Sequence, residues 1–371
     1  MKKIERAVPP QSPLKGAGSR GNNENNTLPY TGRTPQRARE VLQLVCPAGN
    51  LPSLKAAIDN GADVVYTGFN DATNARNFEG LNFTTQKLAE GISYAHKKGK
   101  KVYIAINTFP QGNTYHQWYN SVDKAVSLGA DALIIANLGI LKYARDKYPD
   151  VNLHLSVQAS ASNYESINFY KKYFGIKRVI LPRVLTVKEM KALRDNTDVE
   201  LEVFALGGLC INIEGRCYLS SFVTGASTNT EGACSPSRFV RFINENDHMK
   251  ITLNNVVLNN LAPGETSPYP TCCKGRYITE KGEYFYSFEE PESLNVMEII
   301  PRLIEAGIDA LKIEGRQRTK AYVATVTSAL RKAIDMYYKN PSSYRIDDNL
   351  MSLANATFEG TKPTLGCYLE K

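Results

Sequence analysis

The sequence predicts an α/β fold: a (β/α)8 barrel of the TIM type with a cysteine-rich insertion after strand seven. Three observations support this prediction. Eight short apolar runs alternate with amphipathic helical patterns along most of the 371 residues. A glycine recurs where a helical pattern gives way to an apolar run. One gap in the alternation is far longer than an ordinary loop.

The eight apolar runs suit strands that are buried on both faces of a parallel sheet. They are LQLVCPA (42–48), DVVYTGF (63–69), KVYIAIN (101–107), ALIIA (132–136), NLHLSV (152–157), KRVILPR (177–183), ELEVFAL (200–206) and ALKIEG (310–315). Helical patterns lie between the runs, and RTKAYVATVTSALRKAIDMYY follows the eighth. A doubly wound sheet is the alternative, but no glycine-rich dinucleotide fingerprint follows the first run.

The recurring glycines mark predicted helix-to-strand junctions. GADVVYTG begins at Gly61, GADALIIA at Gly129, GIKRVILP at Gly175 and GIDALKIEG at Gly307. A glycine at the end of a helix can adopt positive φ, and the apolar run that follows it suits a buried strand. The sequence therefore predicts that the helix-to-strand junction is repeated at these positions.

The long gap follows the seventh strand. That strand is predicted to end near residue 206, and the next helix to begin near Ser293, so that 86 residues intervene. Two patterns in the gap, at 251–260 and 276–291, predict strands of a small subdomain. Loops after barrel strands emerge at the C-terminal face, where such barrels build their active sites. The predicted parts are the first part of the barrel at 42–206, the cysteine-rich insertion at 207–292, and the last barrel units with a C-terminal segment at 293–371.

The net charge of +8 is concentrated at the N-terminus. Residues 1–41 hold eight Lys/Arg against three Asp/Glu, whereas the remaining residues hold 37 against 34. The Pro-, Gly- and Asn-rich composition of residues 1–41 predicts a disordered basic extension. The near-neutral remainder argues against nucleic acid as a partner. Because no apolar run suits a transmembrane helix or a signal peptide, we expect no integral membrane segment, a cytoplasmic location and reduced thiols.

Five of the seven cysteines fall in the insertion, and four have the spacing Cys210-x6-Cys217-x16-Cys234-x38-Cys273. The tight Cys-x2–4-Cys pairs of structural zinc sites are absent, and so are the common ferredoxin spacings. Inert buried thiols are the alternative to a metal site. The glycines and cations around the cysteines favour a metal or cluster, because both accommodate thiolates. Spacing alone leaves zinc and iron–sulfur open.

Polar side chains follow most of the predicted strands. If the barrel is correct, they converge on one mouth. Arginines there can hold carboxylate or phosphate in bidentate geometry, and a glutamate can act as an acid or base. The candidate catalytic residues are Glu314 and Arg316. The candidate substrate-binding residues are Asn74, Arg76, Asn107, Gln158 and Arg183.

Several segments resemble the collagenase-like peptidase family, peptidase U32. They include VCPAGNLPSLKAAIDNGADVVYTGFNDATNARNFEGLNFT, HLSVQASASN, VILPRVLT, GGLCINIEGRCYLSSFVTGASTNTEGACSPSRFVR, YPTCCKGRY and LKIEGRQR. The likeness runs from about residue 43 to the C-terminus and is most specific in the cysteine segment. Within the family, the likeness is greatest to the branch that acts in ubiquinone biosynthesis, the UbiU type.

The resemblance implies that Cys210, Cys217, Cys234 and Cys273 carry a [4Fe–4S] cluster. It also implies oxygen-independent ring hydroxylation of a polyprenyl phenol, a precursor of ubiquinone. Partners implied in the same way are a UbiV-like protein in a heterodimer and a UbiT-like lipid carrier. Prephenate is the implied oxygen donor of other family members, which hydroxylate RNA bases. Peptidase activity is not expected, because no protease constellation is visible.

Two departures from the family pattern stand out. Residues 1–41 have no counterpart in it, and Cys272 adds a thiol directly before the expected fourth ligand. Cys273 is preferred because it keeps the CKGR context. The alternatives to the ubiquinone assignment are a prephenate-dependent RNA base hydroxylase of the same family and a non-catalytic scaffold that bears the cluster.

Overall fold

The computed structural model describes residues 41–77, 80–212, 214, 217–228, 234–358, 360 and 362–369. The predicted extension at 1–41 lies outside the described residues except for Val41. In chain order the strands are β1 (Gln43–Pro47), β2 (Val64–Thr67), β3 (Lys101–Ile106), β4 (Ala132–Ile135), β5 (Leu153–Leu155), β6 (Arg178–Ile180), β7 (Glu200–Gly208), β8 (Val240–Glu245), β9 (His248–Leu253), β10 (Val256–Leu261), β11 (Arg276–Ile278), β12 (Tyr284–Tyr286), β13 (Ser293–Asn295), β14 (Ala310–Ile313) and β15 (Pro363–Thr364).

The described α-helices alternate with the barrel strands and continue into the C-terminal segment. They are α1 (Leu51–Asp59), α2 (Thr85–Lys97), α3 (Tyr115–Ser127), α4 (Leu138–Lys147), α5 (Tyr164–Phe174), α6 (Val187–Asn196), α7 (Tyr218–Thr224), α8 (Ile300–Glu305), α9 (Lys320–Lys339) and α10 (Asp348–Asn355). Among the described residues, no helix combines the length and the apolar character needed to cross a membrane.

The predicted barrel is confirmed. Strands β1 to β7 pair in parallel in sequence order, and β14 pairs in parallel with both β7 and β1, which closes the sheet. All eight predicted strands form at their predicted places. Their side chains are almost all buried, because helices cover the outside and side chains fill the inside.

The glycine prediction is also confirmed. Gly61, Gly129, Gly175 and Gly307 have φ of 101°, 81°, 67° and 82°. Each ends a helical segment in a conformation that side-chain-bearing residues avoid, and each leads into a buried strand. The recurring unit of the sequence is therefore the repeated helix-to-strand junction of the barrel.

One boundary was predicted wrongly. The helix expected near Ser293 begins at Ile300, after a 3-10 turn at Met297–Ile299. Residues 293–295 instead form β13, which pairs antiparallel with β7 and parallel with β15. The long β7 extends two residues past its predicted end, and its last backbone groups take β13 as their partner.

A layer of buried charges crosses the barrel interior below the mouth. The Arg178 guanidinium bonds to Glu202 at 3.0 Å and to Glu200 at 2.8 Å, and Lys312 donates to Glu202 at 2.7 Å. Lys312 also lies 3.6 Å from the centre of the Tyr66 ring. Buried charges are tolerated when paired in this way. The layer forms a polar floor for whatever binds above it.

The insertion forms a small subdomain. Strands β8, β9 and β10 make an antiparallel sheet, and β11 pairs with β12. The predicted strands at 251–260 and 276–291 are confirmed, and β8 was not predicted. Leu253, Leu258 and Cys272 form the centre of its own core, on which Leu219 and Val223 of α7 pack.

Candidate functional site

A cavity of about 220 Å³ opens at the C-terminal ends of the barrel strands. Its walls come from residues that follow the barrel strands and from residues of the insertion. Barrels of this type bind their substrates at this face. The cavity is therefore the candidate site.

All four predicted ligand cysteines line this cavity. Cys210 follows β7, Cys217 is the residue before α7, Cys234 precedes β8, and Cys273 lies in a 3-10 turn. Segments far apart in sequence thus bring four thiols to one place. The predicted ligand residues share a site, as a cluster would require.

Hydrogen bonds to neighbouring residues position these thiols. The Asn212 side chain lies 3.6 Å from the Cys217 sulfur, and its carbonyl lies 3.6 Å from the Cys210 sulfur. The Thr271 hydroxyl is 3.3 Å from the Cys273 sulfur. Such contacts orient thiolate ligands and tune the metal that they hold.

The neighbouring thiol Cys272 is not among the residues that line the cavity. It is buried in the core of the subdomain, and its carbonyl accepts a hydrogen bond from the Tyr277 hydroxyl at 2.8 Å. Adjacent cysteines therefore have different surroundings, and Cys273 is the one that lines the cavity together with the other three thiols.

The protonation of the thiols follows from their burial. Burial raises the pKa of Cys234 to about 11, although Arg76 opposes the shift, and burial likewise raises the pKa of Cys210. Such thiols are protonated at neutral pH, which makes them poor nucleophiles, and a bound metal would deprotonate them.

In the part of the chain that the structure describes, no three Cys, His, Asp or Glu side chains are close enough to hold one metal ion. A [4Fe–4S] cluster takes one thiolate on each iron, so it accepts sulfurs farther apart than the ligands of one zinc ion. Cys210, Cys217, Cys234 and Cys273 are the residues that would hold it.

Arg183 joins two carboxylates at the mouth. Its Nη1 lies 2.8 Å from Glu214 and its Nη2 lies 2.6 Å from Glu314. Its guanidinium stacks on Phe204, 3.6 Å from the ring centre. Arg76 also approaches Glu314, at 3.4 Å. Arg183 is thus already neutralised within the protein, and its place is structural as well as electrostatic.

The two carboxylates have opposite shifts of pKa. Burial raises the pKa of Glu214, against the pull of Arg183. Burial also acts on Glu314, but Arg183 and Arg76 outweigh it and leave the pKa of Glu314 lowered. Glu314 is therefore anionic at neutral pH and suits the role of a proton acceptor rather than a donor.

Arg316 is the buried cation of the mouth that lacks an anion. Its Nη1 donates to Asn74 Oδ1 at 2.5 Å, and among the described residues no carboxylate pairs with it. Burial lowers the pKa of Arg316 to about 10, so it remains a cation at neutral pH. A buried guanidinium with unused donors in a cavity wall suits the binding of an anion.

The predicted amide residues take different places. Asn74 does not line the cavity. Its Oδ1 accepts from Arg316 and from the Arg76 backbone, so it orients the arginines. Asn107 lines the cavity, and its Oδ1 accepts from the Ala75 backbone at 3.1 Å. Gln158 lines the cavity as well.

A family model described as Peptidase family U32 matches residues 49–369. The chain belongs to peptidase family U32. It is 33% identical over 328 residues to tRNA hydroxylation protein P1 of Bacillus subtilis, covering 86% of this chain and 71% of that protein. It is 36% identical over 301 residues to an uncharacterized protease of Methanocaldococcus jannaschii, covering 80% of this chain and 65% of that protein.

Solved structures include a U32 peptidase that aligns with a TM-score of 0.46 at 13% identity, over 77% of this chain and 98% of that chain. The resemblance to the U32 family is thus confirmed by the family model and by the relatives.

Sequence reasoning missed several charged residues of this U32 site, among them Glu214 and Lys274. Glu214 and Lys274 both line the cavity, and Lys274 pairs with Glu289 at 3.4 Å. Both lie within four residues of a predicted ligand cysteine, and that proximity was the available signal. Their ion-pair partners lie elsewhere in the sequence, so their roles were not readable from it.

Proposed function

We propose that the chain is a hydroxylase component that acts on a base of RNA and holds a [4Fe–4S] cluster on Cys210, Cys217, Cys234 and Cys273. The observation behind the proposal is that four thiols, a buried guanidinium without a carboxylate partner among the described residues, and an anionic glutamate line one cavity. Support for hydroxylation comes from the name of the B. subtilis relative.

The chemistry needs two reactants. Replacing a ring C–H by C–OH adds an oxygen atom and removes two electrons. A donor X–OH that becomes X–H balances both: the X–O bond and the ring C–H bond break, the ring C–O bond forms, and the donor takes up two electrons and the hydrogen that the ring loses. Prephenate, an organic anion that bears a hydroxyl group, is the proposed donor. The cluster, when bound, would supply electron transfer or Lewis acidity.

The residues of the chain have separate tasks in this proposal. Arg316, held by Asn74, binds a carboxylate of the donor. Glu314, kept anionic by Arg183 and Arg76, accepts the proton released at the reacting ring. Arg183 fixes Glu314 and Glu214 relative to each other.

An exposed aromatic pair beside the cavity supports RNA as the substrate. Tyr218 and Phe222 lie one turn apart on α7 and are 81% and 91% exposed. Cys217 and Ser220, on either side of Tyr218, line the cavity. Exposed aromatic rings near a site can bind single-stranded nucleic acid by stacking on its bases.

The aromatic pair provides a direct test of RNA binding. Replacing Tyr218 and Phe222 by Ala should weaken the binding of transfer RNA by about 1–3 kcal/mol for each stacked base. The matched control is Phe169 and Tyr173, an exposed aromatic pair one turn apart on α5. Its double Ala variant should bind as the wild type does, and equal losses in both variants would contradict the assignment.

The ubiquinone assignment is the second candidate and stays a prediction, together with its UbiV-like and UbiT-like partners. The near-neutral charge of the residues after 41, with 37 Lys/Arg against 34 Asp/Glu, was the sole reason to expect no nucleic-acid partner. The name of the B. subtilis relative is the reason to place RNA first.

One experiment separates the two candidates. Nucleosides of total RNA and quinones are measured by mass spectrometry in a deletion strain complemented with the wild type or with Cys210→Ser. We expect the deletion and the variant to lose a nucleoside carrying one additional oxygen atom and to keep their quinones. Loss of ubiquinone with unchanged nucleosides would overturn the RNA proposal and favour the second candidate.

A further inference from the structure

Gln158 occupies a fixed position in the cavity wall. It lies in the 3-10 turn Val157–Ala159 directly after β5 and is 5% exposed. Ser156 Oγ accepts from its backbone N–H at 3.3 Å, and Ser160 closes the turn at φ 55°. The backbone that carries the side chain is therefore held from both sides.

The side-chain amide of Gln158 has no hydrogen-bond partner among the described residues. Its Oε1 is buried without a donor, and no described group accepts from its Nε2. Asn74 and Asn107, by contrast, use their amides to hold neighbouring backbone. A buried amide oxygen without a donor destabilises a folded protein. Its presence in a cavity wall indicates a ligand that satisfies it.

We infer that Gln158 reads the edge of a base, pairing with an N–H donor and a C=O acceptor that lie side by side on a pyrimidine ring. The inference rests on the proposed function. An amide offers one acceptor and one donor in the same arrangement, which complements the N3–H and C4=O of uracil. A phenol ring of a quinone precursor has no N–H beside its oxygen and cannot pair in this way.

The test compares Gln158→Leu with the wild type in the cluster-loaded protein. The probes are a six-nucleotide oligouridylate and the same oligomer methylated at N3 of every uracil, with binding followed by fluorescence anisotropy. The wild type should prefer the unmodified oligomer by about five- to 150-fold, the discrimination of one bidentate pair. Gln158→Leu should bind both oligomers equally, because Leu cannot form either hydrogen bond.

Two further measurements exclude a structural role for Gln158. Iron content and the thermal midpoint of Gln158→Leu without RNA should not fall, since the amide has no partner to lose. The control is Ser160→Ala: Ser160 Oγ is also buried without a partner on the same turn, but it does not line the cavity. This variant should keep the preference of the wild type.

The outcomes separate this inference from the proposed function. If the wild type binds the oligomer but Gln158→Leu keeps the same preference, or if its thermal midpoint falls, the reading of the base by Gln158 is wrong and RNA hydroxylation stands. If the wild type binds neither oligomer and the deletion strain keeps all its nucleosides, the proposed function fails and the inference fails with it.

Discussion

The bridge made by Arg183 gives the sharpest prediction about the site. Replacing Arg183 by Met keeps an unbranched side chain against Phe204 but leaves Glu214 without its cation. The Glu214 side chain is 9% exposed, and that of Glu314 is 29% exposed. Removing one partner of a buried ion pair costs about 3–5 kcal/mol, whereas an exposed pair contributes about 0–1 kcal/mol. The burial of Glu214 places this variant in the first range.

Urea unfolding followed by fluorescence measures the cost. Trp118 is the single tryptophan of the chain, and it is buried on α3 with its indole N–H bonded to the Thr108 carbonyl at 3.2 Å. Its emission therefore reports on the barrel. Arg183→Met should lower the free energy of unfolding by about 3–5 kcal/mol. A matched control is Lys191→Met, which breaks an exposed pair with Asp195 and should cost less than about 1 kcal/mol.

A second substitution tests the cause. Glu214→Gln removes the buried charge that Arg183→Met leaves unpaired, so the double variant should be more stable than Arg183→Met alone. Such non-additivity is the sign of a direct interaction. The reasoning is refuted if Arg183→Met costs no more than the Lys191 control, or if the losses of the two single variants simply add.

Three more predictions concern the same site. Cys273→Ser should lose most of its iron during anaerobic purification, while Cys272→Ser should keep it; equal iron contents would remove the distinction between them. At pH 6, Glu314→Gln should have a lower urea midpoint than the wild type. This difference in midpoint should shrink as the pH falls through the pKa of Glu314, which is lowered from its ordinary 4.5. A difference that does not depend on pH would contradict the ion pairs. Gly207→Ala should destabilise the fold by about 1–3 kcal/mol, because Gly207 has φ 135° and a Cβ would lie 2.6 Å from Cβ of Glu314. Thermal unfolding followed by circular dichroism measures this loss, and Gly208→Ala, whose Cβ would lie 3.9 Å from Glu314, is the control.

The barrel was predictable because its signals are local. Each strand is a run of apolar residues, and several of these runs follow a glycine. Gly61 and Gly129 end their helical segments within a few residues of the strand that follows. The strand at 293–295 was missed because its cause is distant. Only Leu294 is apolar among its three residues, and its pairing partner is the end of β7, some 86 residues earlier.

The site was predictable from the sequence only in part. Its location was predictable, because strand ends of a closed barrel must converge, and Arg76 and Arg183 do each form an ion pair with Glu314. The choice of partners was not predictable, because the Arg183–Glu214 pair joins a barrel strand to the insertion and depends on how that insertion folds back.

The roles of the two predicted amide residues also depend on distant parts of the chain. Asn74 and Gln158 each follow a barrel strand, and both were predicted to bind substrate. The structure gives Asn74 a partner 242 positions away, at Arg316, and leaves Gln158 with none among the described residues. An amide that is already bonded can only position another group, whereas an unbonded amide in a cavity wall is available to a ligand. What distinguishes a binding residue from a supporting one here is the hydrogen bonds it has left, and those depend on chain segments that only the folded barrel brings together.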